Sequence, residues 1–180
     1  EGCDVISADL DYEGAVKTAE AVKALGQRGL GLKLDVRDRT SVDEMVKKGI
    51  EEFGKIDILI NNAGVSIKWK PFVETTHDDW NFEVGVNLFG QMNVAQAVLP
   101  HMIARKSGRI INTSGGQGIP GISLYGAAKG GVVQWTRALA REVAPLGVIV
   151  SVYSPGFGAT GLTAKDPRDM SEAAKGMPLG

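Results

Sequence analysis

Ile56-Asp57-Ile58-Leu59-Ile60-Asn61-Asn62-Ala63-Gly64 is a short apolar run that empties directly into two amides and a glycine. A run this short and rich in isoleucine reads as a buried strand, and the polar turn marks its carboxyl end. The same grammar repeats on either side. Upstream, Asp4-Val5-Ile6-Ser7-Ala8-Asp9 is an apolar run closed by an acid, and residues 13–26 carry Val16, Ala19, Val22 and Leu25 at helical spacing before a glycine. Residues 30–36 make a second strand. Residues 41–53 make a second helix with Val42, Met45, Val46, Ile50 and Phe53 on one face and Gly54 as its stop. Downstream, a loop through Trp69 and Pro71 leads to a helical stretch over 76–105, interrupted or kinked at Pro100. A strand over 109–113, a helix to about residue 143 and a strand over 147–152 complete the pattern. Strands separated by helices throughout predict parallel right-handed crossovers and an open α/β sheet.

Composition excludes several functions. With 180 residues, 43% hydrophobic and 23% charged, the chain has the content of one globular domain, spanning 1–180. A net charge of −1 with interspersed signs speaks against a nucleic-acid or anionic-membrane partner, and the longest basic cluster, Arg105-Lys106-Ser107-Gly108-Arg109, is too short to change that. Cys3 is the lone cysteine, and His77 and His101 share no ligand spacing with it or with each other, so no metal site is expected. No run of eighteen apolar residues is present to span a membrane.

In open α/β sheets ligands bind beyond the carboxyl ends of the strands. Asp9, Asp35, Asn61-Asn62, Ser114 and the turn Ser154-Pro155-Gly156 all fall there, on one rim. Strand ends are also where polar turn residues ordinarily sit, but five such ends together point to one site. Near that rim, Ser123-Leu124-Tyr125-Gly126-Ala127-Ala128-Lys129 opens an amphipathic helix and puts Tyr125 and Lys129 on one face. A cation at ~4 Å with an effective dielectric of ~20 is worth about 4 kcal/mol, enough to lower a phenol from its ordinary ~10 by roughly three units. The expectation is a tyrosine made into a base by its lysine. Alone, a tyrosine four residues from a lysine is a spacing that arises by chance.

Asn61-Asn62-Ala63-Gly64, then Asn87 in Val86-Asn87-Leu88, then Tyr125-Gly126-Ala127-Ala128-Lys129, then Pro155-Gly156 with Thr160, resembles the short-chain dehydrogenase/reductase family in order and separation, over essentially the whole chain. The resemblance implies a doubly wound parallel sheet, a Rossmann-like three-layer sandwich, a nicotinamide cofactor, and hydride transfer between a secondary alcohol and its ketone. It makes Tyr125 the general acid/base, Lys129 the group that lowers its pKa and holds the nicotinamide ribose, and Asn87 the anchor of a water leading from that lysine to solvent. A helix-interior asparagine bonded to a neighbouring carbonyl is the plainer reading of Asn87. Asn61, Ala63 and Gly64 would line the adenosine side, Pro155-Gly156 would also bind the cofactor, and Thr160 would bind the carboxamide. Asp9, at a strand end, would accept from the adenine-ribose hydroxyls and repel the extra phosphate of NADP, so NAD is expected over NADP. Asp35, with Val36, would meet the adenine amino group; the cap of the following turn is its other reading.

The sequence departs from that pattern in three places. The family's opening strand and glycine-rich turn have no counterpart, and Gly26-Gln27-Arg28-Gly29-Leu30-Gly31 precedes a strand instead of following one. The expectation is a piece incomplete at both ends, with a gap in the ladder where a central strand belongs. The catalytic serine is displaced: the usual spacing falls on Asn112, a shortened loop would put the position at Gly115, and Ser114 is taken as the carbonyl-polarising donor with Ser123 in reserve. Its loss would slow the reaction roughly 10²–10³-fold. Ser151 stands where asparagine is common. Residues 65–69, 115–124 and 157–162 should frame a pocket with Lys68 and Lys70 as its cations, which suits a neutral alcohol or ketone. By resemblance the protein is a cytoplasmic homo-oligomer, a dimer or tetramer, with Trp80 and Trp135 in core or subunit contacts; an N-terminus beyond this piece would carry any targeting signal. The alternative function is a nucleotide-binding regulatory or scaffold protein of the same fold without turnover.

Overall fold

The structure, a computed structural model, describes residues 2–67, 69–116 and 118–155. Along them run β1 (Val5–Asp9), α1 (Tyr12–Ala24), β2 (Gly29–Lys33), α2 (Arg39–Phe53), β3 (Ile58–Asn61), α3 (His77–Val84), α4 (Gly90–Ala104), β4 (Gly108–Thr113), α5 (Ser123–Val143) and β5 (Val148–Tyr153). Local chemistry sets the boundaries. Asp11 caps α1 by accepting from the Gly14 N–H, and Asp38 caps α2 by accepting from the Thr40 N–H, which starts that helix two residues before the expected Ser41. Gly54, at φ 78°, closes α2 in the left-handed conformation. Thr76 and Asp79 form a reciprocal capping box at the start of α3.

Every strand pairing is parallel. β1 pairs with β2 from Val5–Gly29 to Asp9–Lys33, and β4 lies between β3 and β5. Among the described residues the strands form two separate ladders, β1–β2 and β3–β4–β5. Helices pack on both faces of the parallel strands, which is the doubly wound α/β arrangement. On β2, Gly29 and Gly31 lie against the backbone of Ala19 and Val16 in α1, where a Cβ would come within 2.2 and 2.8 Å. Leu32 faces the other way, into a core built from α2, α4 and α5 through Val42, Met45, Val98, Met102, Leu139 and Val143. Ile110, Val148 and Val150 present the same face of β4 and β5 to that core. In β3 and β5 the opposite face carries Ile58, Ile60 and Ile149, each more than half exposed, so α1 supplies a third layer over β1–β2 alone among the described residues.

The long helical stretch is not interrupted at Pro100. α4 runs through Pro100 to Ala104, with Val98 and Met102 fully packed on either side of the proline. The break in α geometry is a π-helical turn, Gly85–Phe89, joining α3 to α4. Such turns recur at functional sites because the extra residue re-aims a side chain; here that residue group contains Asn87.

Candidate active site

α5 begins two residues before Tyr125, which leaves the phenol half-buried in the first turn and carries Lys129 inward one turn later. Lys129 is 2% exposed, its Nζ lies 5.6 Å from the Tyr125 ring centroid, and it donates to the Thr113 carbonyl at 3.0 Å. Burial pushes this ammonium down to about 8. The loop leaving β4 lies directly on the phenol. A Cβ at Gly115 would stand 3.6 Å from Tyr125 Oη, and one at Gly116, whose φ is +53°, would come within 2.7 Å of Cε1. Glycine at 116 is therefore a requirement of both backbone and space.

The expected direction of the Tyr125 shift is reversed. Burial raises the phenol pKa above its usual value, and the negative charge of Glu83 raises it further. Lys129 does not offset this, because its ammonium is aimed at the Thr113 carbonyl and is itself held down by desolvation.

Asn87, 0% exposed, fixes the segment that follows β3. Its Nδ2 donates to the Val65 carbonyl at 2.7 Å and to the Glu83 carbonyl at 2.9 Å, and its Oδ1 accepts from the Val65 N–H at 3.2 Å. The bond to Glu83 is the helix-interior contact of the plainer reading; the pair to Val65 is what the π turn adds. Gly64 then lies where a Cβ would fall 3.1 Å from Asn87 Oδ1 and 3.6 Å from Lys129 Nζ. Gly64, Asn87 and Lys129 thus converge at the ends of β3 and β4, with open backbone between them.

The other expected residues divide. Asn61 is buried and its amide is used internally, donating to Asn112 Oδ1 at 2.9 Å and the Gln91 carbonyl at 3.2 Å, so it is the exposed backbone of Ala63 and Gly64 that reaches the rim. Ser114 is 1% exposed and its hydroxyl donates to the Lys129 carbonyl at 3.0 Å; the residue set against the Tyr125 hydroxyl is Gly115. Asp9 is exposed at the end of β1, accepting from the Asp11 N–H, with Lys33 beside it in register on β2. Asp35 is half-buried and bound by Arg37 through both backbone and guanidinium, which holds its carboxyl below the usual range. Val36 is in the core, and its carbonyl accepts from Asn93 Nδ2 at 3.0 Å. Pro155 is exposed, and Gly156 and Thr160 lie outside the described residues. A cavity of about 710 Å³ lined by Leu10, Tyr12, Asp35, Asp38 and Lys48 flanks β2 and touches neither Tyr125 nor Lys129.

Sequence reasoning passed over Glu83, Gln91 and Thr136, and met Asn112 only as the position on which the usual serine spacing falls. Gln91 Nε2 bridges the Asn87 and Thr113 carbonyls, both at 3.0 Å, and Asn112 Nδ2 donates to Thr136 Oγ1 at 2.9 Å. The signal was available: Asp79, Glu83, Asn87 and Gln91 recur every fourth residue and mark a polar stripe on an otherwise apolar helical face.

The chain matches the short chain dehydrogenase family over residues 1–171. It belongs to that family. As a short-chain dehydrogenase/reductase it is an NAD(P)-dependent oxidoreductase with a small-molecule substrate. The whole chain is 36% identical to the 3-oxoacyl-[acyl-carrier-protein] reductase FabG of Thermotoga maritima and spans 74% of that protein. A gluconate 5-dehydrogenase from Burkholderia cenocepacia, solved with NADP and tartrate, superposes with a TM-score of 0.85 at 32% identity, covering 94% of this chain and 68% of that one. A family member from Burkholderia phymatum, solved with NAD, gives a TM-score of 0.82 at 28% identity, covering 88% of this chain and 58% of that one. Family members of this shape therefore include both NAD and NADP complexes. Among the described residues no helix is long and apolar enough to cross a membrane and no metal-binding cluster occurs.

Proposed function

We propose that this short-chain dehydrogenase/reductase exchanges a hydride between NAD(H) and a neutral secondary alcohol or ketone, with Tyr125 as the acid/base. The observation that carries this reading is the convergence of the half-buried phenol with the buried Lys129 ammonium, Asn87 and the open Gly64 backbone. The fit to a nicotinamide cofactor rests on that same Gly64, exposed at the rim, where a Cβ would crowd Asn87 Oδ1 at 3.1 Å. Asp9, Asp35, Val36, Ala63, Gly64, Pro155, Gly156 and Thr160 would hold the cofactor, with Asn61 anchoring the strand end beneath it. When bound, NAD supplies the acceptor for the hydride that leaves the carbinol carbon.

The residues' own work is the proton and the geometry. In oxidation Tyr125 takes the hydroxyl proton as the C–H electron pair departs as hydride; in reduction it returns that proton to the alkoxide oxygen. Lys129 carries a positive charge one helical turn from the phenol at neutral pH, and Asn87 holds the 64–65 backbone in place. Ser114, whose one O–H is donated to the Lys129 carbonyl, ties the end of β4 to α5 behind the phenol instead of polarising a carbonyl. Asp9 is proposed to favour NAD, since a carboxylate accepts from ribose hydroxyls and repels a phosphate. A homo-oligomer, dimer or tetramer, is proposed by analogy with the family.

The test is NADH formation by the full-length protein on a panel of secondary alcohols, beside Tyr125→Phe. The variant is expected to lose roughly 10²–10⁴-fold in kcat while still binding NAD. Equal rates would refute the role of Tyr125, and absence of NAD binding by the unaltered protein would refute the cofactor assignment.

A further inference from the structure

Gln91 lies in the first turn of α4 and is 2% exposed. Its Nε2 donates to the Asn87 carbonyl and to the Thr113 carbonyl, both at 3.0 Å, and its backbone carbonyl accepts from Asn61 Nδ2 at 3.2 Å. The π turn, the end of β4 and the end of β3 therefore meet on this one residue. Both side-chain partners are carbonyls, so the amide nitrogen has to face them and the amide oxygen has to face away. That oxygen, Oε1, is buried without a hydrogen-bond partner. Its lost hydration works against folding. A methionine would fill the position without that penalty, so the side chain is of use for its two N–H groups.

Each of the two carbonyls belongs to a segment that frames the site. The β3–β4 register ends at Asn61–Asn112, and the Thr113 carbonyl, one residue beyond, accepts from the side chains of Gln91 and Lys129, each at 3.0 Å. The same strand end continues into Gly115 and Gly116, which lie against Tyr125. On the other side, Asn87 holds Val65, next to Gly64, through both its amide nitrogen and its amide oxygen. In the π turn the helical hydrogen-bond register slips by one residue, and the Gln91 side chain reaches the Asn87 carbonyl four positions back. One carboxamide thus sets the separation between the backbone beside the phenol and the backbone at Gly64.

We infer that Gln91 is a positioning residue for the reaction: its carboxamide braces the Thr113 carbonyl against the Asn87 carbonyl, and so fixes Lys129 and the 115–116 backbone relative to the 64–65 backbone. The inference rests on the reading of Tyr125 and Lys129 as the reacting pair and adds to it a residue that acts only through others. Without the brace Lys129 keeps its acceptor, but the acceptor is no longer held in place. A displacement of about 1 Å in such an arrangement lowers the rate by on the order of 10²-fold.

The experiment compares the full-length protein with Gln91→Met and Thr136→Val. Thr136 Oγ1 accepts from Asn112 Nδ2 at 2.9 Å, so its loss opens the same buried polar network without touching either carbonyl. NADH formation on a secondary alcohol, NAD affinity by fluorescence titration and thermal unfolding are measured for each. Gln91→Met should lose roughly 10–100-fold in kcat, with NAD affinity within about threefold and the fold intact. Thr136→Val should lose stability with kcat unchanged. A kcat in Gln91→Met within about twofold of the unaltered protein, or an equal loss in Thr136→Val, overturns the inference. No turnover by the unaltered protein would instead sink the underlying reading of the reacting pair. Should Gln91→Met fail to fold, Gln91→Glu keeps the shape of the side chain. Its protonated carboxyl donates to one of the two carbonyls and its anion to neither. The ratio of its kcat to that of the unaltered protein should fall as pH rises, and a ratio that does not fall overturns the inference.

Discussion

Lys129→Met should produce a protein that is more stable at neutral pH and catalytically disabled. The ammonium of Lys129 is depressed from 10.5 to about 8 by burial, and at about 1.4 kcal/mol for each pH unit this charge costs the fold about 3 kcal/mol at pH 7. Methionine fills a similar volume without a charge. The hydrogen bond lost at the Thr113 carbonyl takes back about 1 kcal/mol. That carbonyl keeps its bond from Gln91 Nε2 at 3.0 Å, so no orphan acceptor is left. A net gain of about 2 kcal/mol is expected at pH 7. The sign reverses with alkali. Below pH 8 both folded and unfolded chains carry the proton and the penalty is complete; between 8 and 10.5 the folded lysine sheds it first, the unfolded state binds more protons, and the unaltered protein gains stability. Urea unfolding of both full-length proteins from pH 7 to about pH 10 should show the gap closing as pH rises. Contributions from other titrating groups cancel in that difference. A variant less stable at pH 7, or a gap independent of pH, would refute the claim that Lys129 is held against a desolvation penalty for the sake of the site.

Two further outcomes test the walls of the site. Gly116→Ala places a methyl 2.7 Å from Tyr125 Cε1 at a backbone with φ +53°. It should lose about 2 kcal/mol of stability and more than about tenfold in kcat with the KM for NAD little changed; kcat equal to that of the unaltered protein would show that the loop does not set the ring. Asp9→Asn should weaken NAD about tenfold and improve NADP, because a charge-assisted acceptor and a phosphate repellent disappear together. Fluorescence titration with both cofactors gives the ratio, and an unchanged ratio would move the discrimination to Lys33, which lies beside Asp9.

The order of strands and helices was legible because the signals are local. Period and stop glycines act within about four residues, which is why apolar spacing and Gly54 marked α2 from sequence alone, while the caps Asp11, Asp38 and Thr76 were found in the structure. Tyr125 and Lys129 were legible for the same reason, being one helical turn apart. Pro100 does not interrupt α4, which continues through it to Ala104 between the buried Val98 and Met102, and the π turn at Gly85–Phe89 has no period to announce it.

The sequence by itself determined that this chain is a parallel α/β fold of the short-chain dehydrogenase/reductase family with a tyrosine and a lysine on one helical face. Only the tertiary structure decided what surrounds them. It put Lys33 beside Asp9, turned the Ser114 hydroxyl onto the Lys129 carbonyl, set Gly115 against the phenol, and brought Glu83 of a separate helix within electrostatic reach of Tyr125. A pKa depends on desolvation and on charges far off in sequence, so the direction of the Tyr125 shift was fixed only when α3, α5 and the β3 end packed together.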